Sequence, residues 1–203
     1  MPINTLNDKI MFGLENDPTQ TADKNASIQC CYGIPYAAFA FGLVSVIAYS
    51  IWAFHLVPGR GPMYISIAVV YFGLSGIALS RLVNKLGTTL RFCLFFAFSF
   101  FVYAILWCLF WFGLKGKFHA DLYGSFVGLA AMTWLFMKVF GMKSGFLPLF
   151  AVLFTCHTIG YYLGGEAHEL LGGPTGRILW GAFHGLGFGA GLGYLLNRCQ
   201  AAE

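Results

Sequence analysis

Two histidines inside apolar segments are the residues of this chain whose types and spacing best suit chemistry. His157 and His184 each begin the pattern H-x-x-G-x-x-x-G, in which both glycines share a helical face with the histidine. Ionisable side chains within a membrane are costly and commonly mark proton relays, ion paths or bound ligands. Three roles stay open: proton coupling or gating, ligation of a haem or metal, and hydrogen bonding between helices.

The two histidines are predicted to lie at a similar depth in the membrane. His157 comes seven residues before Gly164 near the end of one span, and His184 comes seven residues after Arg177 near the start of the next. Because consecutive spans run in opposite directions, these equal offsets bring the two side chains level. The facing surfaces of the fifth and sixth spans are therefore the predicted functional interface.

Three polar residues follow the fifth span and have the residue types of a small metal site. Glu166, His168 and Glu169 fall in segment 164–176, which we predict to be a solvated loop because Gly164 and Gly165 follow one another and end the helix. We therefore predict no metal here and assign the three side chains to a pore mouth.

The last apolar segment carries a glycine at every fourth position. In water each glycine costs a helix roughly 1 kcal/mol relative to alanine. In a membrane, small residues at this spacing let helices approach closely, so the stripe predicts tight packing within the chain or between copies. The stripe consists of Gly181, Gly185, Gly189 and Gly193.

Composition places these residues in a membrane protein. Of 203 residues, 58% are hydrophobic and only 10% are charged, whereas a soluble domain has about 25% charged residues. Several apolar runs reach the ~20 residues that cross a bilayer as a helix. The net charge of +4 is scattered over helix ends, so nucleic acid is not an expected partner. An all-α integral membrane protein is predicted.

The chain divides into a flexible polar tail (1–31), a transmembrane domain (32–198) and a short C-terminal tail (199–203). Six spans put both termini on the same side, and eight basic residues on that side against four on the other predict cytoplasmic termini. The predicted spans are 33–56, 63–83, 92–114, 122–140, 146–163 and 178–196.

A rhomboid-like intramembrane serine protease is one alternative for the histidine of the sixth span. Such an enzyme would place its serine near the outer start of span four, where Ser125 lies. The nucleophile motif G-x-S-G is missing, and span two lacks a histidine or asparagine for an oxyanion site. No catalytic residue is therefore assigned.

Motifs along the whole chain resemble one known family. The order Tyr71-x-Gly73, Lys85-x-Gly87-x-Thr89 and Phe95 is similar to the acetate uptake (succinate–acetate permease) family, in which Y-G-G leads to a charged G-N-T-F turn and an aromatic span. Further matches in the family's order are Leu135-Phe136-Met137, the aromatic run 150–154, Ile159-Gly160, Gly172-Gly173-x-x-Gly176-x-Ile178 and Leu196-Asn197.

The resemblance implies a six-helix homo-oligomer that passes a small carboxylate such as acetate. By position, the family's anion path corresponds to Pro35, Tyr36 and Phe98, and Tyr71 of the family-like motif is a fourth residue predicted to line the path. The sequence departs from the family in span one, where N-P-A-P-L-G-L is replaced by residues 32–38, and in span three, where Y-G-S-F-W is replaced by residues 98–102. These departures remove an asparagine and a tyrosine hydroxyl from the path.

The leading functional hypothesis is a multi-pass transporter or channel for a small solute, with His157 and His184 coupling protons. A non-catalytic or haem-binding subunit of a larger membrane complex is the second hypothesis, with the same histidines as ligands, and the protease is the third. The expected partners are the lipid bilayer, a small solute, and copies of the chain or other subunits. No cofactor is expected beyond that haem alternative.

Overall fold

The computed structural model describes residues 18–83 and 89–201, with side chains described from residue 32 onward. These residues form six α-helices and no strand, as the composition predicts. The helices are α1 (Pro18–Ala53), α2 (Arg60–Ser80), α3 (Thr89–Gly113), α4 (Ala120–Val139), α5 (Phe146–Leu171) and α6 (Gly173–Ala201).

Five segments of this bundle are long and apolar enough to cross a membrane: residues Tyr32–Ala53 of α1, and the whole of α2, α3, α4 and α5. The prediction of an all-helical chain with several apolar helices of membrane-spanning length is confirmed. Helix α6 is not among the five, because its many glycines contribute little hydropathy.

Helix α6 lies between α1 and α5 and makes its largest interfaces with them. It runs antiparallel to α1, since Gly193 lies against Gly33 and Gly181 against Tyr49. We call the end of the bundle that holds Gly33 and Gly193 the terminal end. The opposite end holds the α1–α2, α3–α4 and α5–α6 connections, and we call it the α5–α6 end.

The predicted loop over residues 164–176 is wrong, because α5 continues through Gly164 and Gly165 to Leu171. Gly164 lies where α5 touches α6, and a Cβ there would come within 2.9 Å of the Trp180 Cα. Gly164 therefore allows the two helices to pack closely. A helix tolerates such a glycine when its backbone hydrogen bonds are kept. The chain turns later, at Gly172 and Gly173, which have φ values of 61° and 52°.

Helices extend into both predicted tails. Helix α1 begins at Pro18, inside the segment 1–31 that the sequence predicts to be a flexible tail, and α6 extends to Ala201. Residues 1–17 and 202–203 lie outside the described residues. So do residues 84–88, which include Lys85 and Gly87 of the family-like motif.

An aromatic core fills the terminal half of the bundle interior. Phe41, Phe96, Phe188 and Leu192 are completely buried, and Phe100 is 7% exposed. The Phe100 ring stacks on Phe188 at a centroid distance of 5.9 Å and on Phe96 at 6.0 Å. This core joins α1, α3 and α6 directly beside the polar residues described next.

Candidate functional site: a buried histidine pair

The structure brings His157 and His184 into direct contact. Their Nε2 atoms lie 3.2 Å apart, and the rings meet edge to face with centroids 5.0 Å apart. His157 is 1% exposed. The equal offsets in the sequence thus correspond to a real pair at one level of the α5–α6 interface.

Glycines on both helices make this contact possible. A Cβ on Gly160 would come within 3.0 Å of the Gly187 Cα, and one on Gly187 would collide with the carbonyl oxygen of Cys156. Because neither residue has a side chain, the two backbones touch at this level. The histidines beside them are therefore held within hydrogen-bonding distance.

Tyr103 on α3 extends the pair into a longer chain of polar groups. Its hydroxyl lies 2.9 Å from the Nε2 of His157, and Ser125 on α4 lies within hydrogen-bonding reach of the same hydroxyl. Gly128 lets α4 approach, since a Cβ there would come within 2.8 Å of the Tyr103 ring. The sequence reasoning missed Tyr103. The available signal was a phenol within the apolar third span.

Counting hydrogens shows that the neutral pair leaves a ring N–H unpaired. If His184 donates from Nε2, then His157 accepts at Nε2 and carries its hydrogen on Nδ1. If His157 donates, then His184 carries its hydrogen on Nδ1. Neither Nδ1 atom has a partner in the structure. A buried donor without a partner is costly, so the pair favours contact with water or another acceptor.

A second polar cluster lies at the α5–α6 end, on α1, α5 and α6. Arg177 donates to the carbonyl oxygen of Trp52 at 3.2 Å and to the Nε2 of His55 at 3.0 Å. Its guanidinium also lies over the Trp52 ring, 4.8 Å from the centroid. His168 stacks on Trp180 with centroids 5.5 Å apart and lies 5.4 Å from the Trp52 ring.

The predicted pore-mouth residues do not form one group. Glu166 and Glu169 are exposed on α5, whereas His168 faces α1 and α6 among the tryptophans. Their placement on a helix is the reason, because a helix sends residues 166, 168 and 169 in different directions, which a loop need not do. Their role at a pore mouth stays a prediction.

The four residues predicted to line an anion path are likewise dispersed. Phe98 is 56% exposed, and Pro35 is also exposed on the outer surface of α1. The Tyr36 hydroxyl donates to the carbonyl oxygen of Ala78 on α2 at 2.9 Å. The hydroxyl of Tyr71, which is buried, lies 2.7 Å from that of Ser45. The monomer therefore does not bring these residues together around one passage.

The predicted glycine stripe of α6 is covered by α1 of the same chain. A Cβ on Gly181 would come within 2.7 Å of Tyr49, and one on Gly193 within 2.8 Å of the Ala37 side chain. Gly185 lies against Ser45, and Gly189 against residues 37, 38 and 41 of α1. Of the two contacts predicted for the stripe, the structure shows the one within the chain.

The protease geometry is not formed among these residues. Ser125 is 4% exposed and lies against Tyr103. His184 bonds instead to His157. A nucleophilic serine needs a base within hydrogen-bonding reach. This arrangement gives Ser125 a phenol where the reaction needs an imidazole.

The histidine pair does not fit a bis-histidine haem in this arrangement. Two nitrogens on opposite sides of one metal, each about 2.0 Å from it, are separated by about 4 Å. The Nε2 atoms of His157 and His184 lie 3.2 Å apart and face each other. Tyr103, Tyr161 and Phe188 pack around the two rings, where a porphyrin would need a flat slot.

A small cavity lies at the terminal end, away from the pair. Its volume is about 150 Å³, and it is bounded by α1, the end of α2 and α6. The apolar core lies between this cavity and the histidines. Its lining residues include Tyr32, Arg81, Leu82, Asn197 and Gln200.

No family model, curated protein or solved structure matches this chain.

Proposed function

We propose that this protein is a membrane transporter that couples movement of a small solute to movement of a proton through His157 and His184. The observation that carries the proposal is the hydrogen-bonded contact of the two imidazoles, 3.2 Å apart, within the bundle. Imidazole is the side chain that gains and loses a proton most readily near neutral pH. Placing two of them in contact inside a membrane is costly, which favours a functional role.

The hydrogen-bond inventory supports proton handling over a static structural contact. The neutral pair already contains one unpaired ring N–H, and an added proton creates a second. The protonated pair therefore needs water or a bound anion to complete its hydrogen bonds. A requirement of this kind links proton uptake to hydration or solute binding, which is what coupled transport needs.

We propose a small carboxylate such as acetate as the solute, on the basis of the resemblance to the acetate uptake family. The charges of the bundle agree with an anion or a neutral solute. Asp121 lies in the first turn of α4, and Glu166 and Glu169 lie near the end of α5. Among the described residues, the four helices α1 to α4 have no carboxylate at mid-depth from residue 32 onward. Cation carriers commonly need one there.

In this proposal all six helices cross the membrane, including α6. Its two flanks are covered by α1 and α5, so the bundle supplies the apolar surroundings that glycine does not. Both termini then lie at the terminal end. The excess of basic residues in the sequence orients that end toward the cytoplasm.

The direct test is transport by purified protein in liposomes. We expect uptake of labelled acetate to accelerate with an imposed pH gradient, and a trapped pH dye to report proton movement with it. His157→Gln and His184→Gln are expected to reduce both fluxes at least tenfold, since glutamine keeps hydrogen bonding but cannot carry a proton.

The matched control is His119→Asn, which alters an exposed histidine outside the pair. His119 has a φ of 54°, a conformation that asparagine also adopts, so this variant is expected to transport normally. Equal fluxes in the wild type and in both paired-histidine variants would refute proton coupling by the pair. Absence of acetate and succinate flux in a folded wild-type sample would refute the proposed solute class.

A further inference from the structure

The surroundings of the histidine pair differ along the bundle axis. Toward the α5–α6 end, each helix that contacts the pair presents another hydrogen-bonding side chain at successive turns. Toward the terminal end, α5 and α6 present hydrocarbon, and α1 presents the Ser45 hydroxyl, which is paired with that of Tyr71 at 2.7 Å. The hydrogen-bonding groups are Tyr161 and His168 on α5, Trp180 and Arg177 on α6, and Tyr49 and Trp52 on α1 with His55 in the turn that follows it.

The contacts among these groups are continuous from the pair to the α5–α6 end. Tyr161 stacks on His157 at a centroid distance of 6.1 Å and lies 5.7 Å from the His184 ring. Tyr161 also lies 5.6 Å from Trp180, which stacks on His168 at 5.5 Å. We call this series the polar column.

Several atoms of the polar column are buried without a hydrogen-bond partner. They include Nε1 of Trp180, Nδ1 of His168 and Nε of Arg177, together with Nδ1 of His184. Indole and guanidinium nitrogens are obligate donors, and buried donors without a protein partner commonly bond to ordered water. Three further buried hydroxyls have no partner: those of Ser75 on α2 and Ser99 on α3, outside the three helices of the column, and that of Thr158 on α5.

In the opposite direction the pair meets a buried apolar layer. It consists of Leu153, Phe188, Phe41 and Leu192, and we call it the aromatic seal. One turn from His157 lies Leu153, and one turn from His184 lies Phe188, both completely buried. Phe188 packs on Phe41 with centroids 5.1 Å apart, and Leu192 follows on the next turn of α6. These side chains offer water no polar partner, and the nearby hydroxyls of Ser45 and Tyr71 bond to each other at 2.7 Å, so a hydrogen-bonded wire does not continue along these side chains.

We infer that, in this conformation, the histidine pair exchanges protons only with the α5–α6 end, through water that enters the polar column. This inference rests on the proposed function and specifies its direction. A proton from that end reaches a ring nitrogen of His184 or His157, and its release to the terminal end requires the aromatic seal to open. Alternation between access from the α5–α6 end and access from the terminal end then couples proton movement to solute movement.

The ionisable groups around the route lie at the pair or on its open side, except Tyr71 of α2, which packs on Phe41 and Phe100 beside the seal and has its hydroxyl paired with Ser45. Tyr103, Tyr49 and Tyr161 surround the pair from α3, α1 and α5. At the α5–α6 end, Asp121 lies near Tyr162 and Tyr161. Further titratable or charged groups at that end are His55, Arg60, Lys115, Lys117, His119, Glu166, His168, Glu169 and Arg177.

Cysteine accessibility tests the route, because α5 offers a symmetric pair of positions around His157. In a cysteine-free background, Tyr161→Cys lies one turn toward the α5–α6 end, and Leu153→Cys lies one turn toward the terminal end. Lys117→Cys, in the exposed α3–α4 connection, identifies the membrane side that holds the α5–α6 end. A small, charged, membrane-impermeant methanethiosulfonate is added to sealed vesicles of either orientation.

We expect the reagent to modify Tyr161→Cys at least tenfold faster from the side that modifies Lys117→Cys, and to leave Leu153→Cys unmodified from both sides. Trp180→Cys and Phe188→Cys repeat the comparison around His184 on α6, should a variant on α5 fail to fold. Equal labelling of Tyr161→Cys from both sides, no labelling of either column position, or faster labelling at Leu153→Cys or Phe188→Cys would overturn the inference.

The labelling experiment needs no transport activity, so the two proposals fail separately. One-sided labelling in a protein without solute flux would support the one-sided access route and refute the proposed transport function. Coupled flux of solute and protons with labelling from both sides would support the proposed transport function and refute the one-sided access route.

Discussion

The Tyr103 hydroxyl on α3 lies 2.9 Å from the Nε2 of His157 on α5, the same nitrogen that faces His184 on α6 at 3.2 Å. One imidazole nitrogen thus has two polar neighbours but carries a single hydrogen or a single lone pair. The three side chains cannot all satisfy one another at once. A shift of one proton changes which neighbour is bonded, and this makes the contact responsive to protonation.

Removing the phenol hydroxyl is expected to weaken transport without unfolding the protein. In Tyr103→Phe the ring keeps its packing on Phe100 and Phe188, 5.5 and 5.4 Å away. The lost hydrogen bond is worth about 1 kcal/mol, so we expect acetate flux to fall about threefold to tenfold in liposomes. Tyr123→Phe removes a hydroxyl from a residue that is 54% exposed and is the matched control. Unchanged flux in Tyr103→Phe would exclude a role for the hydroxyl.

Neighbouring glycines on α5 are expected to respond oppositely to alanine. A Cβ on Gly164 would lie within 2.8 Å of the Trp180 carbonyl oxygen, whereas one on Gly165 would meet no atom within 4 Å. We expect Gly164→Ala to lose about 1–3 kcal/mol of unfolding free energy through overpacking, and Gly165→Ala to be neutral or slightly stabilised. Unfolding in mixed detergent micelles measures both. Equal stability of the two variants would contradict the packing described for α5 and α6.

The stripe on α6 is expected to affect folding of the single chain and to leave association between copies unchanged. Gly181 lies against Tyr49 of α1, so Gly181→Ala should lower the unfolding temperature in detergent. Gly73→Ala, where a Cβ meets nothing within 4 Å, is the control. Light scattering with size exclusion then reports the oligomer. A variant that dissociates into monomers while unfolding at the wild-type temperature would show that the stripe contacts another copy.

Arg177 is expected to hold the α5–α6 end of the bundle together. Its contacts with the Trp52 carbonyl, His55 and the Trp52 ring join α6 to α1. Arg177→Gln should cost about 1–3 kcal/mol of unfolding free energy, and Arg177→Lys should recover only part of it, because lysine lacks the planar fork of donors. Arg60→Gln changes an exposed arginine at the same end and is expected to leave the unfolding free energy unchanged. Full recovery by lysine would show that charge alone matters.

The limits of prediction are clearest at Gly164 and Gly165. A pair of glycines is a common helix end, and the local sequence does not reveal that α6 lies against one of them. The approach of Trp180 makes glycine necessary at Gly164, and the helix continues to the later turn at Gly172. Contact between helices therefore decided a boundary that local propensity predicted wrongly.

By itself, the sequence determined the all-helical class, the apolar helices of membrane-spanning length and the pairing of two histidines, because apolar run length and equal offsets on antiparallel helices follow from helix geometry. Only the tertiary structure added Tyr103 to the pair, turned His168 away from Glu166 and Glu169, and covered the Gly181 stripe with α1. These relationships depend on which helices become neighbours and on how closely their backbones approach. The positions of glycines in the sequence do not determine which helix will pack against them.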